Sequence, residues 1–168
     1  MTVDDLVDLL RRLAARESEP GLSELDHGLQ CAWELAGLRP DDLELQVAGL
    51  CHDLGHPLGP DDEHGRLGGE LLRPLMGERV AVLVTLHVTA KRYLAASEPG
   101  YRLSPGSVAS LAAQGGALAP GEAAEFRKSR WFDDAVLLRR ADDAAKVPGR
   151  RVPGLARWTA ALHAAAVR

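Results

Sequence analysis

The chain reads as all-α. Three observations point there. Apolar residues recur at three- and four-residue spacing along nearly every stretch. Pro-Gly and Gly-Gly breaks fall between those stretches. No segment alternates apolar and polar residues with period two for long enough to make a strand. At 168 residues the chain is long enough to bury a real core. The expectation is a helical bundle forming a single domain over residues 1–168, with about eight or nine helices.

The elements follow in order. Val3, Leu6, Val7, Leu10 and Leu13 make one stripe, ended by Pro20-Gly21. Ser23 has the chemistry of an N-cap, and Leu25, Leu29, Ala32 and Leu35 mark a second helix with His27 in its first turn. Pro40-Asp41-Asp42 opens a third helix at its positive dipole end. Leu43, Val47 and Leu50 run along it, His52 and Asp53 fall in its last turn, and Gly55 and Pro57 end it. A polar loop then leads to a short fourth helix with His64 near its start. Gly77-Glu78 begins the longest pattern, Val80 to about Ala95, in which Leu83, His87, Lys91 and Leu94 share a face. Ser97 to Leu103 is a loop. Ser104-Pro105 caps a helix stopped by Gly115-Gly116. Further helices are expected from Pro120 through Phe126, from about Asp133 to Lys146, and from Leu155 to Val167.

Bulk properties exclude several classes. The net charge is −4, so no general positive field draws the chain to nucleic acid. No run of about 18 apolar residues predicts a membrane span. The start, Met1-Thr2-Val3-Asp4-Asp5, does not read as a signal peptide. Two cysteines, Cys31 and Cys51, form no disulfide framework. A cytoplasmic protein is expected, and a homo-oligomer is left open.

The chemistry gathers around Cys51-His52-Asp53-Leu54-Gly55-His56-Pro57. An imidazole offers a metal one nitrogen, and the adjacent carboxylate offers one oxygen to that metal and another to a second. This donor mix suits Fe, Mn, Zn or Mg. Other helices supply partners: one ion is placed among His27, His52, Asp53 and Asp142, and a second among Asp53, His64 and His87. Asp53 then bridges a buried dinuclear metal site and is the catalytic centre of the reading. Asp142 is preferred to Asp143 because it shares a helix face with Lys146, with the choice open at this point. His56 lies at the mouth, and Lys91, one turn after His87, is carried toward the site, where an ammonium would bind phosphate or phosphonate. His163 belongs to no constellation. Cys31 reads as a small core residue, and Cys51 turns away.

The order His27…His52-Asp53…His64…His87…Asp142 resembles the HD-domain superfamily of all-α metalloproteins. Three stretches resemble its PhnZ-type oxygenases more closely. They are Leu86-His87-Val88-Thr89-Ala90-Lys91-Arg92-Tyr93-Leu94, then Leu103-Ser104 through Ser107 and Ser110-Leu111 to Gln114-Gly115-Gly116, then Leu138-Arg139-Arg140 through Asp142-Asp143 to Lys146. The likeness runs from about Ser23 to Lys146 and extends to myo-inositol oxygenase. It implies an HD-domain fold, two Fe ions as an Fe(II)/Fe(III) pair, and dioxygen as co-substrate. The implied substrate is a small anion, a 1-hydroxyphosphonate, whose C–P bond is cleaved to phosphate and a carboxylate. On this likeness the six residues above are iron ligands, His56 and Lys91 hold the phosphonate, and Ser107, Ser110 or Gln114 assists. One segment departs from the pattern. Glu17-Ser18-Glu19-Pro20-Gly21-Leu22-Ser23 lacks the expected tyrosine, and Glu19, the gating candidate, is displaced by about one position. The substrate's far end is therefore undefined. Two alternatives share the bundle: a metal-dependent phosphohydrolase acting on a phosphate ester, and a non-catalytic helical module.

Overall fold

The computed structural model describes residues 1–167. Helix α1 (Val3–Arg12) starts at a reciprocal cap in which Thr2 Oγ1 accepts from the Asp5 amide and the Asp5 carboxylate accepts from the Thr2 amide. It buries Val3, Leu6, Val7 and Leu10, the stripe read from the sequence. A 3-10 turn (Leu13–Ala15) follows.

Next comes a feature that the sequence pattern does not announce. Strands β1 (Glu17–Glu19) and β2 (Leu22–Ser23) pair antiparallel across Pro20-Gly21. Neither is long enough for an alternation to register, so the expectation of no strand is corrected here.

Ser23 caps α2 (Glu24–Leu38), its hydroxyl accepting from the Asp26 amide. Helix α3 (Leu43–Cys51) is capped by Asp42, so Pro40 and Asp41 stand outside it. It is shorter than its pattern suggested. His52 is the C-cap, and Asp53 lies in the tightened turns that follow, closed by bonds from Leu54 N to Cys51 O and from His56 N to Asp53 O. A 3-10 turn (His56–Leu58) completes this corner.

Helix α4 (His64–Ser97) joins the fourth and fifth sequence patterns into one run broken at Gly77, whose φ of 80° suits glycine alone. The two halves fold back on each other. Gly69 lies so close to Ala81 and Thr85 that a Cβ there would stand 2.6 Å from the Ala81 carbonyl oxygen. His64, at the first position, is thereby returned to His87 in the second half.

Helix α5 (Pro105–Ala113) is capped by Ser104, and α6 (Pro120–Phe126), α7 (Phe132–Ala144) and α8 (Leu155–Ala165) follow. The last two stop short of Lys146 and Val167. Helix α3 packs on α2, α4 and α7, and α7 packs on α2 and α4, with Leu35, Leu45, Leu83 and Leu138 fully buried. Helix α8 lays Trp158 and Leu162 over α3 from outside.

Gly55 carries the tightest of these approaches, since a Cβ there would overlap the His64 carbonyl oxygen and lie 2.8 Å from Gly68 N. Both are backbone atoms and cannot rotate aside. Gly55→Ala is expected to destabilise the fold by about 3 kcal/mol or more in urea titration, as overpacking against fixed atoms does. Gly121→Ala, with open space around the new methyl, should stay within about 0.5 kcal/mol.

Candidate metal centre

Four imidazoles meet in the middle of the bundle, from α2, the α3 corner and both halves of α4. Each is buried, and each directs Nδ1 at a backbone carbonyl. His52 Nδ1 lies 2.8 Å from Gly49 O, His64 Nδ1 2.5 Å from Asp61 O, His87 Nδ1 2.5 Å from Val84 O, and His27 Nδ1 3.4 Å from Ala145 O. A ring that donates from Nδ1 keeps a lone pair on Nε2. Those Nε2 atoms face one another in pairs, His27 with His52 at 3.2 Å and His64 with His87 at 2.9 Å.

The carboxylates complete two groups of donors. Asp53 Oδ2 stands 3.3 Å from His52 Nε2 and 3.6 Å from His27 Nε2. Asp53 Oδ1 points the other way, 3.6 Å from His64 Nε2 and 3.7 Å from His87 Nε2. Asp142 Oδ1 lies 3.0 Å from His27 Nε2, 3.7 Å from His52 Nε2 and 3.3 Å from the Lys146 ammonium, and although buried it accepts no hydrogen bond among the described residues. Two nitrogens bound to one ion at about 2.1 Å stand roughly 3.0–3.4 Å apart for octahedral or tetrahedral angles. The observed pairs fall close to that span. Facing lone pairs at such distances repel unless a cation or proton lies between them. The donor set therefore fits metal.

Asp142, not Asp143, stands beside the imidazoles. Its Oδ2 accepts from Arg139 Nη1 at 2.5 Å, while Asp143 turns to Arg139 Nη2 and the Tyr101 hydroxyl, away from the imidazoles. Arg139 is thus a clamp on both acids.

The donors open onto a cleft of about 260 Å³. Lys91 and Lys146 form its cationic side, with Nζ donating to Ser110 Oγ at 2.8 Å and to Ser107 Oγ at 2.6 Å. His56 stacks on His64 with ring centroids 4.1 Å apart and reaches Asp53 Oδ1 at 3.5 Å. Strand β1, Arg16 and Glu24 also line the cleft.

Residues 7–114 match the family model described as HD domain. The chain belongs to the HD-domain family. A hydroxymethylphosphonate dioxygenase from Gimesia maris is 36% identical over 166 residues, covering 91% of this chain and 82% of that protein. A glycine-betaine-forming 1-hydroxy-2-(trimethylamino)ethylphosphonate dioxygenase from Leisingera caerulea is 35% identical over 122 residues, covering 66% and 62%. Within the HD-domain family the chain stands with the PhnZ-type oxygenases.

Charge in this HD-domain centre is balanced locally. Burial opposes ionisation of Asp53 and Asp142, but His52 beside the first and Arg139 beside the second hold both carboxyls well below the usual range. Burial likewise disfavours a charged His52, yet the two carboxylates carry it well above an ordinary histidine. His87 is driven well below by burial and by His64. A cation seated among these atoms would compete with the His52 proton, so uptake of metal releases protons.

The six ligand-type residues from the sequence come together here. His56, Lys91, Ser107, Ser110 and Glu19 line the cleft. Gln114 does not. It is the C-cap of α5, and its amide lies buried without a partner away from the lining. Glu19 is tied by the Ser104 hydroxyl. His163 lies on the surface near Asp4, and both cysteines are buried as thiols, with Cys51 pushed up to about 12 by burial. Sequence reasoning missed Arg16, Glu24 and Lys146 as cleft residues. Lys146 was visible only as a neighbour of Asp142. An acid opening a helix, such as Glu24, looks like an ordinary dipole residue.

A ligand that binds only the folded state raises its stability. Adding Fe(II) or Mn(II) anaerobically is expected to raise the thermal midpoint by several degrees, and chelator should reverse it. In His52→Ala the rise should shrink by more than half, as followed by scanning calorimetry.

Proposed function

We propose that the chain is an iron-dependent oxygenase that cleaves the C–P bond of a 1-hydroxyalkylphosphonate. The observation that carries this reading is the divided carboxylate of Asp53, with one oxygen toward each pair of imidazoles, beside a cationic cleft wall. The names of the two relatives support the substrate class. The PhnZ-type likeness implies two Fe ions as an Fe(II)/Fe(III) pair, and the nitrogen and oxygen donors suit iron better than a softer metal. When bound, that pair supplies dioxygen activation and a seat for the substrate's C1 hydroxyl.

The protein's own residues do the rest. Gly49, Asp61, Val84 and Ala145 fix the rings through their carbonyls, so the donors need no reorganisation. Lys91, Lys146 and His56 receive the phosphonate dianion. Held there, the substrate presents C1 to the donor cluster, and binding energy from its unreactive end orients the reacting bond. Ser107 and Ser110 keep the two ammonium groups pointed into the cleft. The balance is one hydroxyphosphonate and one dioxygen giving one carboxylic acid and one phosphate. The C1–H and C–P bonds break, and each product gains one oxygen over the fragment it came from.

An iron-loaded sample given hydroxymethylphosphonate in air should consume oxygen and release phosphate one to one, and Asp53→Ala should lose at least about 10³-fold in kcat. Phosphate release from esters without oxygen would transfer the assignment to phosphohydrolysis.

Lys91 gives a pH dependence. Burial first, and then Arg139, bring its ammonium down to about 8. The charged form holds the anion, so it is present below that pH and lost above it. Hence kcat/KM for the phosphonate should fall as pH rises through about 8. In Lys91→Arg, whose cation does not titrate there, that limb should disappear from the profile.

A further inference from the structure

Two cavities meet at one side chain. Beyond the polar cleft there is a second space of about 250 Å³ that shares Arg16 with it and is lined chiefly by Leu9, Leu13, Leu54, Leu58 and Leu71, together with Arg12. Among the described residues Arg16 alone lines both. It is held at two points by the same partner. Its carbonyl accepts from the Glu24 amide at 2.9 Å, and its Nε donates to Glu24 Oε2 at 3.0 Å. The Glu24 carboxylate is buried, while the Arg16 side chain is 44% exposed and borders both spaces.

The other acids at this end are also engaged. Glu17 Oε1 accepts from the Gly21 amide at 3.1 Å, and Glu19 accepts from the Ser104 hydroxyl. None of the three carboxylates is left without a protein partner to receive a cationic substituent. An alkyl tail reaching this end would have to desolvate the Arg16–Glu24 pair without replacing its hydrogen bonds, which is unfavourable.

We propose that Arg16, tied to Glu24, is the partition that sets substrate length, so that the chain selects hydroxymethylphosphonate or a 1-hydroxyphosphonate with a short uncharged substituent. This rests on the oxygenase reading of the same cleft. Removing the guanidinium joins the two spaces and gives a longer tail a leucine-lined slot.

The test compares kcat/KM for hydroxymethylphosphonate and 1-hydroxyhexylphosphonate in the wild type, Arg16→Ala and Arg12→Ala. The wild type should favour the short substrate by at least about 100-fold. Arg16→Ala should raise the long-to-short ratio at least tenfold, in line with methylenes entering an apolar pocket. Arg12→Ala, which borders only the apolar space, should leave the ratio within about threefold. The ratio cancels any loss of folding or metal common to both substrates. Calorimetry of methylphosphonate and hexylphosphonate binding to the same iron-loaded proteins under argon gives a second readout, and the same tenfold shift in relative Kd is expected. An unchanged ratio in Arg16→Ala, or equal use of both chain lengths by the wild type, overturns the partition. Preference for a 2-ammonium analogue overturns the uncharged far end. If no hydroxyphosphonate consumes oxygen, the oxygenase reading fails, while the calorimetric shift still decides the partition.

Discussion

Everything at the centre of this bundle depends on how four imidazoles spend their Nδ1 protons. Each gives it to a main-chain carbonyl, three of them three residues earlier in the chain and the fourth, Ala145, across the core. Those bonds decide the tautomer and the ring plane, and so decide that four lone pairs converge. Bringing unpaired nitrogen lone pairs to 2.9 and 3.2 Å is unfavourable in a buried site unless positive charge sits among them. Two carboxylates stand there to balance that charge.

Cationic groups are sorted around this centre by what they hold. Arg139, almost fully buried, is spent on Asp142 and Asp143 and on the Tyr101 hydroxyl. Its fork geometry suits two acids at once. Lys91 and Lys146 are tied only to hydroxyls and to the edge of Asp142, so each retains donors for an anion. One wall thus keeps Asp142 in place while its neighbours face the cleft. Arg16 is different again, with its cation paired and turned into a boundary.

Much of this was legible in the sequence. Helical periodicity placed His27, His64, His87 and Asp142 on inward faces, and the donor chemistry of the His52-Asp53 pair gathered them into one centre, in the order that the PhnZ-type likeness also implies. Boundaries were less legible where hydrogen bonding, not hydrophobic pattern, decides them. Helix α3 ends before His52 because tighter turns take over, and the two halves of α4 are separated by a backbone turn at Gly77 rather than by a loop. The β1–β2 hairpin is too short to leave a pattern. Gln114 shared a helix face with Ser107 and Ser110, but periodicity gives direction around a helix and not distance along it. Arg16 and Glu24 carried no signal, because an arginine after one helix and an acid at the start of the next are commonplace.

The back-folded α4 has a consequence for the order in which the centre is assembled. His64 and His87 are separated by only 23 residues and meet through a hairpin that closes on itself. His27 must instead find the end of α7, and its bond to Ala145 spans 118 residues. Loop closure over so long a span is slow and comes late. A ribosome would therefore deliver the four imidazoles and Asp53 well before Asp142 and the Ala145 carbonyl, and they would wait for the C-terminal helices to arrive.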